Sequence, residues 1–99
     1  MELKSNVILS VMRTHKPQLA SFGVSRIGLF GSYVRNEQQS QSDIDILVDF
    51  EPNKDTFDNF MNLYDYLEVL FQNKKIEIVT INGLSPYIGK HILKEVNYA

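Results

Sequence analysis

Two apolar runs, each joined to a chemically loaded turn, set the terms on which this chain can fold. Ile27 to Phe30 leads straight into Gly31-Ser32, and Ser42-Asp43-Ile44-Asp45 opens the run Ile44 to Val48. Such runs, bounded by glycine and polar residues, read as half-buried or fully buried strands. A glycine after a strand has no Cβ, so backbone amides there can come close to a phosphate. Asp43 and Asp45 share one face of the second strand, about 6.6 Å apart at a rise of roughly 3.3 Å per residue. Ile44, Ile46, Val48 and Phe50 take the other face, toward a core. Two carboxylates about 4 Å apart repel by about 1 kcal/mol in water and about 4 kcal/mol at an effective dielectric near 20. The pair therefore suits a shared hard cation, Mg²⁺ above all. Arg35, one turn beyond Ser32, can grip a phosphate oxygen with its planar fork.

The 99 residues are expected to form a single domain, residues 1–99, with a real core but no separate module for gripping a substrate. A formal net charge of −2 gives no general pull toward nucleic acid, and direct nucleic-acid binding is not expected. The chain has no cysteine, which excludes disulfides and thiolate metal sites. Met1 to Asn6 lacks the apolar core of a signal peptide, and no apolar run approaches a membrane span. The expected location is the cytoplasm.

Leu3, Val7, Ile8, Val11 and Met12 recur at helical spacing, predicting a first helix that ends near Lys16, before Pro17. Leu19 to Phe22 reads as a short turn closed by Gly23, and a strand follows from Ser25 to Phe30. A brief helix is expected over Ser32 to Asn36, with its free amides toward the phosphate turn, and then a polar surface loop over Glu37 to Ser42. Asp55 or Thr56 caps a long helix whose apolar stripe is Phe57, Phe60, Met61, Tyr64, Leu67, Leu70 and Phe71, ended by Asn73. Ile76 to Ile81 reads as a third strand with Glu77 facing away from Ile76 and Ile78. Ser85-Pro86 starts a last helix through Ile88, Ile92, Leu93 and Val96. The order predicts an α+β (α/β two-layer) fold, a small three-stranded sheet backed by about four helices.

The stretch FGSYVRNEQQSQSDIDILVDF resembles the minimal nucleotidyltransferase domain of the DNA polymerase β-like superfamily, the antitoxin half of HEPN/MNT toxin–antitoxin pairs. Gly31, Ser32, Arg35, Ser42, Asp43 and Asp45 match its motif. Asn36 departs from it, since glycine is usual there, yet asparagine tolerates a left-handed backbone. The resemblance covers nearly the whole chain and implies a nucleotidyltransferase fold with a mixed sheet, in which Glu77 stands where the family usually has a third acid, Asp. It implies that Asp43, Asp45 and Glu77 are catalytic and hold two Mg²⁺ ions about 3.5 to 4 Å apart, while Gly31, Ser32, Arg35 and Ser42 bind the nucleotide. The implied reaction moves AMP from ATP to a tyrosine hydroxyl of a HEPN-type ribonuclease toxin, silencing it.

Two other functions fit the same residues. One is an antitoxin that neutralises its toxin by binding alone, with Glu77 and Asn36 as signs of lost chemistry. The other is a nucleotidyltransferase for a small molecule, which a chain this short could serve only if a dimer supplied a second wall. Homo- or hetero-oligomerisation is left open. Taken singly, Glu37 and Asp49 read as surface charges, and His15 and His91 as surface or packing residues without metal-ligand spacing. Lys74, Lys75, Lys90 and Lys94 read as solvated faces, and nothing selects Tyr64, Tyr66 or Tyr87 for stacking a base.

Overall fold

A computed structural model of the chain describes residues 3–72 and 74–99. Met1 and Glu2, part of the segment weighed above as a leader, and Asn73, the expected end of the long helix, lie outside the described residues. Helix α1 spans Ser5–Thr14 and α2 Lys16–Ser21. The expected helix end near Lys16 is displaced: α1 stops at Thr14, and Lys16 already opens α2, with Pro17 in that helix's first turn. A proline is tolerated there because its missing N–H would have no intrahelical partner. At the joint, His15 Nδ1 lies 2.7 Å from the Tyr66 hydroxyl, a link to the long helix.

Strands β1 (Val24–Phe30) and β2 (Ile44–Phe50) pair antiparallel. The crossover through α3 (Phe57–Leu70) brings β3 (Ile76–Thr80) parallel to β2. Helix α4 (Pro86–Glu95) leads into β4 (Asn97–Tyr98), and the sheet order is β3-β2-β1-β4. The sheet thus has four strands rather than the three expected. The fourth is two residues long and pairs with Gly28 and Leu29. Gly28 makes room for it: a Cβ there would stand 2.6 Å from Val96 Cγ2 and 3.0 Å from the Asn97 carbonyl. So short a strand has no periodicity of its own and is set by what its neighbour leaves open.

Both faces of the sheet are covered. On one, Ile27, Leu29, Ile44, Ile46, Val48 and Ile76 meet Ile8, Met12, Leu19, Leu63 and Leu67 from the first three helices. On the other, a smaller cluster of Phe30, Leu47 and Ile92 lies beneath α4, joined by Val79, Ile81, Leu84 and Val96. Helix α4 therefore sits opposite α1–α3 instead of adding to one backing layer. Thr56 caps α3, its Oγ1 accepting from the Asn59 N–H, and Ser85 caps α4 by accepting from the Ile88 N–H.

The stripe expected on α3 is rotated. Leu63, absent from it, is fully buried, whereas Phe57 is 77% exposed and Met61 faces solvent. In α1, Leu9 is likewise buried and Val7 exposed. Ile81 leaves β3 for a 3₁₀ turn, Ile81–Gly83. No helix among the described residues is long and apolar enough to cross a membrane. Leu63→Ala should destabilise the fold by about 2–5 kcal/mol through the cavity it leaves, while Phe57→Ala should stay within about 0.5 kcal/mol. Urea unfolding of the two variants checks this assignment of the buried stripe.

Candidate functional site

The parallel register of β2 and β3 places Asp45 beside Glu77. On its other flank Asp45 lies opposite Phe30, the last residue of β1. A row Phe30–Asp45–Glu77 therefore crosses the face of the sheet that carries Leu47 and α4, and Gly31 begins where the row ends. The chain turns there through a single 3₁₀ turn, Gly31–Tyr33, not the helix over Ser32 to Asn36 expected from the sequence. Asn36 leaves the turn with φ of 58°, as its tolerance of the left-handed region allows.

Gly31 has φ of +79°, where L side chains are strained, and a Cβ on it would collide with the Asp45 carboxylate. Only glycine lets this amide turn and that acid stand together. Burial is the first cause that raises Asp45 to a pKa of about 6; repulsion from Glu77 and Asp43 adds to it, the Arg35 charge opposes it, and Glu95 adds again. The carboxylates of Asp43, Glu77 and Glu95 thus all act on Asp45 across this face.

Arg35, exposed on the turn, is held between two acids. Its Nε donates to Glu37 Oε1 at 2.7 Å, and its Nη1 donates to Glu95 Oε1 at 2.9 Å and Oε2 at 3.2 Å. These carboxylates, Glu37 first, raise the guanidinium above its ordinary pKa. The Gly31 N–H donates to the same Glu95 carboxylate at 2.8 Å. Ser32 is half-buried at the turn. Ser42 Oγ accepts from the Gln39 N–H at 2.8 Å, and Lys74 Nζ donates to the Ser40 carbonyl at 3.0 Å. Both contacts shape the loop that delivers Asp43.

Glu37 and Lys74, read from sequence as surface groups, thus brace the site. Glu95 was not singled out at all: it lies 64 residues from Gly31 on an ordinary polar helix end, and no local pattern marks it. Asp49, of the same parity as Asp45, is spent elsewhere, 3.4 Å from Arg26. His91 and Tyr87 are exposed on α4. A cleft of about 410 Å³ opens beside Glu77, its apolar walls formed by Phe30, Val79, Leu84, Ile88 and Ile92. A larger hollow of about 550 Å³ between Glu68 and Lys75 involves none of Gly31, Asp45 or Glu77.

The donor set of Asp43, Asp45 and Glu77 is all carboxylate oxygen, the chemistry of a hard divalent cation. As the side chains stand, no three His, Asp or Glu among the described residues form a group that could hold a metal ion. Their backbone positions are compatible with one, since strand neighbours lie about 4.8 Å apart and alternate residues about 6.6 Å. Side-chain rotation is what convergence requires.

The sequence profile described as "Polymerase beta, Nucleotidyltransferase" matches residues 14–97. The chain is 44% identical over 92 residues to the protein adenylyltransferase MntA of Thermococcus cleftensis, covering 92% of this chain and 91% of that one. Among solved structures, one described provisionally as a minimal nucleotidyltransferase superposes with a TM-score of 0.81 at 28% identity, over 97% of this chain and 96% of that one. A toxin–antitoxin crystal structure with AMP-PNP superposes at 0.64 and 26% identity, over 97% of this chain and 72% of that one. On its sequence match and its four-stranded mixed sheet, the chain belongs to the polymerase β nucleotidyltransferase family.

Proposed function

We propose that this chain is a Mg²⁺-dependent protein adenylyltransferase that acts as an antitoxin, moving AMP from ATP to a tyrosine hydroxyl of a HEPN-type ribonuclease toxin. The observation that carries the reading is the acid row beside the glycine turn: Asp45 and Glu77 in register, Asp43 two residues before Asp45, and the side-chain-free position of Gly31 against the Asp45 carboxylate. The 44% identity to an adenylyltransferase and the likeness to a toxin–antitoxin structure with AMP-PNP support the donor and the kind of partner.

Asp43, Asp45 and Glu77 are the residues that would hold the two ions. Bound there, Mg²⁺ would supply Lewis-acid polarisation of phosphoryl oxygens and a counter-charge for the leaving pyrophosphate. The chain's own groups do the rest. Gly31 N–H, the turn at Ser32, Arg35 and Ser42 receive the phosphates, with Arg35 offering a planar fork. A carboxylate of the row accepts the proton from the acceptor hydroxyl as that oxygen attacks the α-phosphorus in line. The cleft beside Glu77 offers an apolar wall on which a nucleobase or the acceptor's ring can lie, next to the reacting atoms.

Intact mass spectrometry of a co-expressed partner, incubated with this chain, Mg²⁺ and each nucleoside triphosphate, tests the reading. A gain of AMP units with ATP is expected, and Asp43→Ala should abolish it while the fold survives. A partner that binds tightly and never gains mass would instead establish neutralisation by binding alone.

Gly31→Ala should lower stability by at least about 1 kcal/mol from its left-handed backbone and should abolish transfer, because the new methyl displaces Asp45. Thermal unfolding and the mass assay read the two effects. Asp45 also sets a pH signature in metal-free protein. Its folded pKa, about 6, lies above the ordinary 3.8, so between these values the folded chain binds more protons than the unfolded one. Stability contributed by protonated Asp45 is therefore complete below about pH 4 and is lost as pH rises to about 6. Melting in chelator from pH 4 to 7 should show this slope flattened in Asp45→Asn.

A further inference from the structure

The two donors best placed to receive a phosphate, the Gly31 N–H and Nη1 of the Arg35 guanidinium, both donate to one carboxylate of this same chain. Glu95, the last residue of α4, accepts from Gly31 N–H at 2.8 Å through Oε2 and from Arg35 Nη1 at 2.9 Å through Oε1. Its side chain is only 25% exposed. The packing of Ile92, one turn earlier, against Phe30 and Leu47 anchors the helix end over the site. A carboxylate that bridges a backbone amide and a guanidinium reproduces the contacts a phosphate oxygen pair would make, and hydrogen bonds of this charge-assisted kind are the strong ones. It also adds a negative charge to a face already carrying Asp43, Asp45 and Glu77.

We propose that Glu95 is a built-in phosphate mimic that closes the phosphate seat of the nucleotide-free chain and must swing off Gly31 and Arg35 before a triphosphate can enter. The proposal rests on the nucleotidyl-transfer reading of the site. It makes α4 a gate as well as a cover: the side chain that leaves the seat belongs to the helix that walls the cleft beside Glu77. A ligand without phosphates has no quarrel with Glu95. The gate therefore discriminates by phosphate charge, and the affinity measured for a triphosphate is reduced by the fraction of chains in which the seat is filled.

Calorimetric titration of the full chain with ATP, inorganic triphosphate and adenosine, each with Mg²⁺, tests this in wild type, Glu95→Gln, Glu95→Ala and Glu37→Gln. Glu95→Gln and Glu95→Ala should bind ATP and inorganic triphosphate roughly tenfold more tightly than wild type, the open fraction setting the gain, with adenosine unchanged. Glu37→Gln removes an equal charge from Arg35 but does not touch the Gly31 amide, and its gain should be distinctly smaller. Weaker triphosphate binding in the Glu95 variants would make Glu95 a support for Arg35 and overturn the proposal. So would equal gains in Glu37→Gln, which would reduce the effect to net charge. Unchanged ATP binding in the Glu95 variants, with transfer still lost in Asp43→Ala, would remove the gate and leave the enzyme. Failure of every variant to bind ATP or triphosphate would remove the nucleotide reading and the gate with it.

Discussion

The contact between Gly31 and the Asp45 carboxylate is the constraint around which the site is built. An amide-presenting turn and an acid can be neighbours on one sheet face only if the residue between them has no side chain and accepts a positive φ. Everything else in the site is arranged around that contact. The antiparallel pairing of β1 with β2 brings the turn to Asp45, and the parallel pairing of β2 with β3 brings Glu77 to its other flank. The result is a carboxyl group whose pKa is raised to about 6, by burial first and then by the like charges of Glu77 and Asp43.

That electrostatic tension is tolerable because the core sits elsewhere. The main apolar cluster lies on the opposite face under α1–α3, and the smaller one, Phe30, Leu47 and Ile92, holds α4 in place beside the acids. Strand β2 is the hinge of this division. Ile44, Ile46 and Val48 look into the main core, while Asp45 and Leu47 share the face that carries the candidate site. The row of acids crosses the sheet at the ends of its strands, where β1 stops and β2 and β3 begin, so that solvent can reach the carboxylates.

The loop between the turn and β2 is polar and exposed, yet its path is specified. Ser42 closes it on Gln39, Lys74 reaches across from the approach to β3 to the Ser40 carbonyl, and the Ile44 N–H donates to the Lys75 carbonyl at 2.9 Å. Asp43 is thereby tied to the same strand pair that carries Asp45 and Glu77. Arg35, between Glu37 and Glu95, is oriented in the same way by partners that come from two different parts of the chain.

Local chemistry decided much of this in advance. The strand runs flanking Gly31 and Asp45, a cap at Asp55 or Thr56, the cap at Ser85, the tolerance of Asn36 for a left-handed backbone and the facing of Glu77 away from Ile76 and Ile78 all follow from residue-level rules, and the family motif is written in one continuous stretch. What local chemistry left open was settled by contacts between distant segments. The stripe of α3 turned toward Leu63 because burial follows the shape of the sheet it meets, not the count of apolar residues in the helix. Strand β4 exists because Gly28 leaves space beside it. Glu95 reached Gly31 because α4 crosses the second face and ends over the turn, a consequence of packing that no spacing in the sequence encodes.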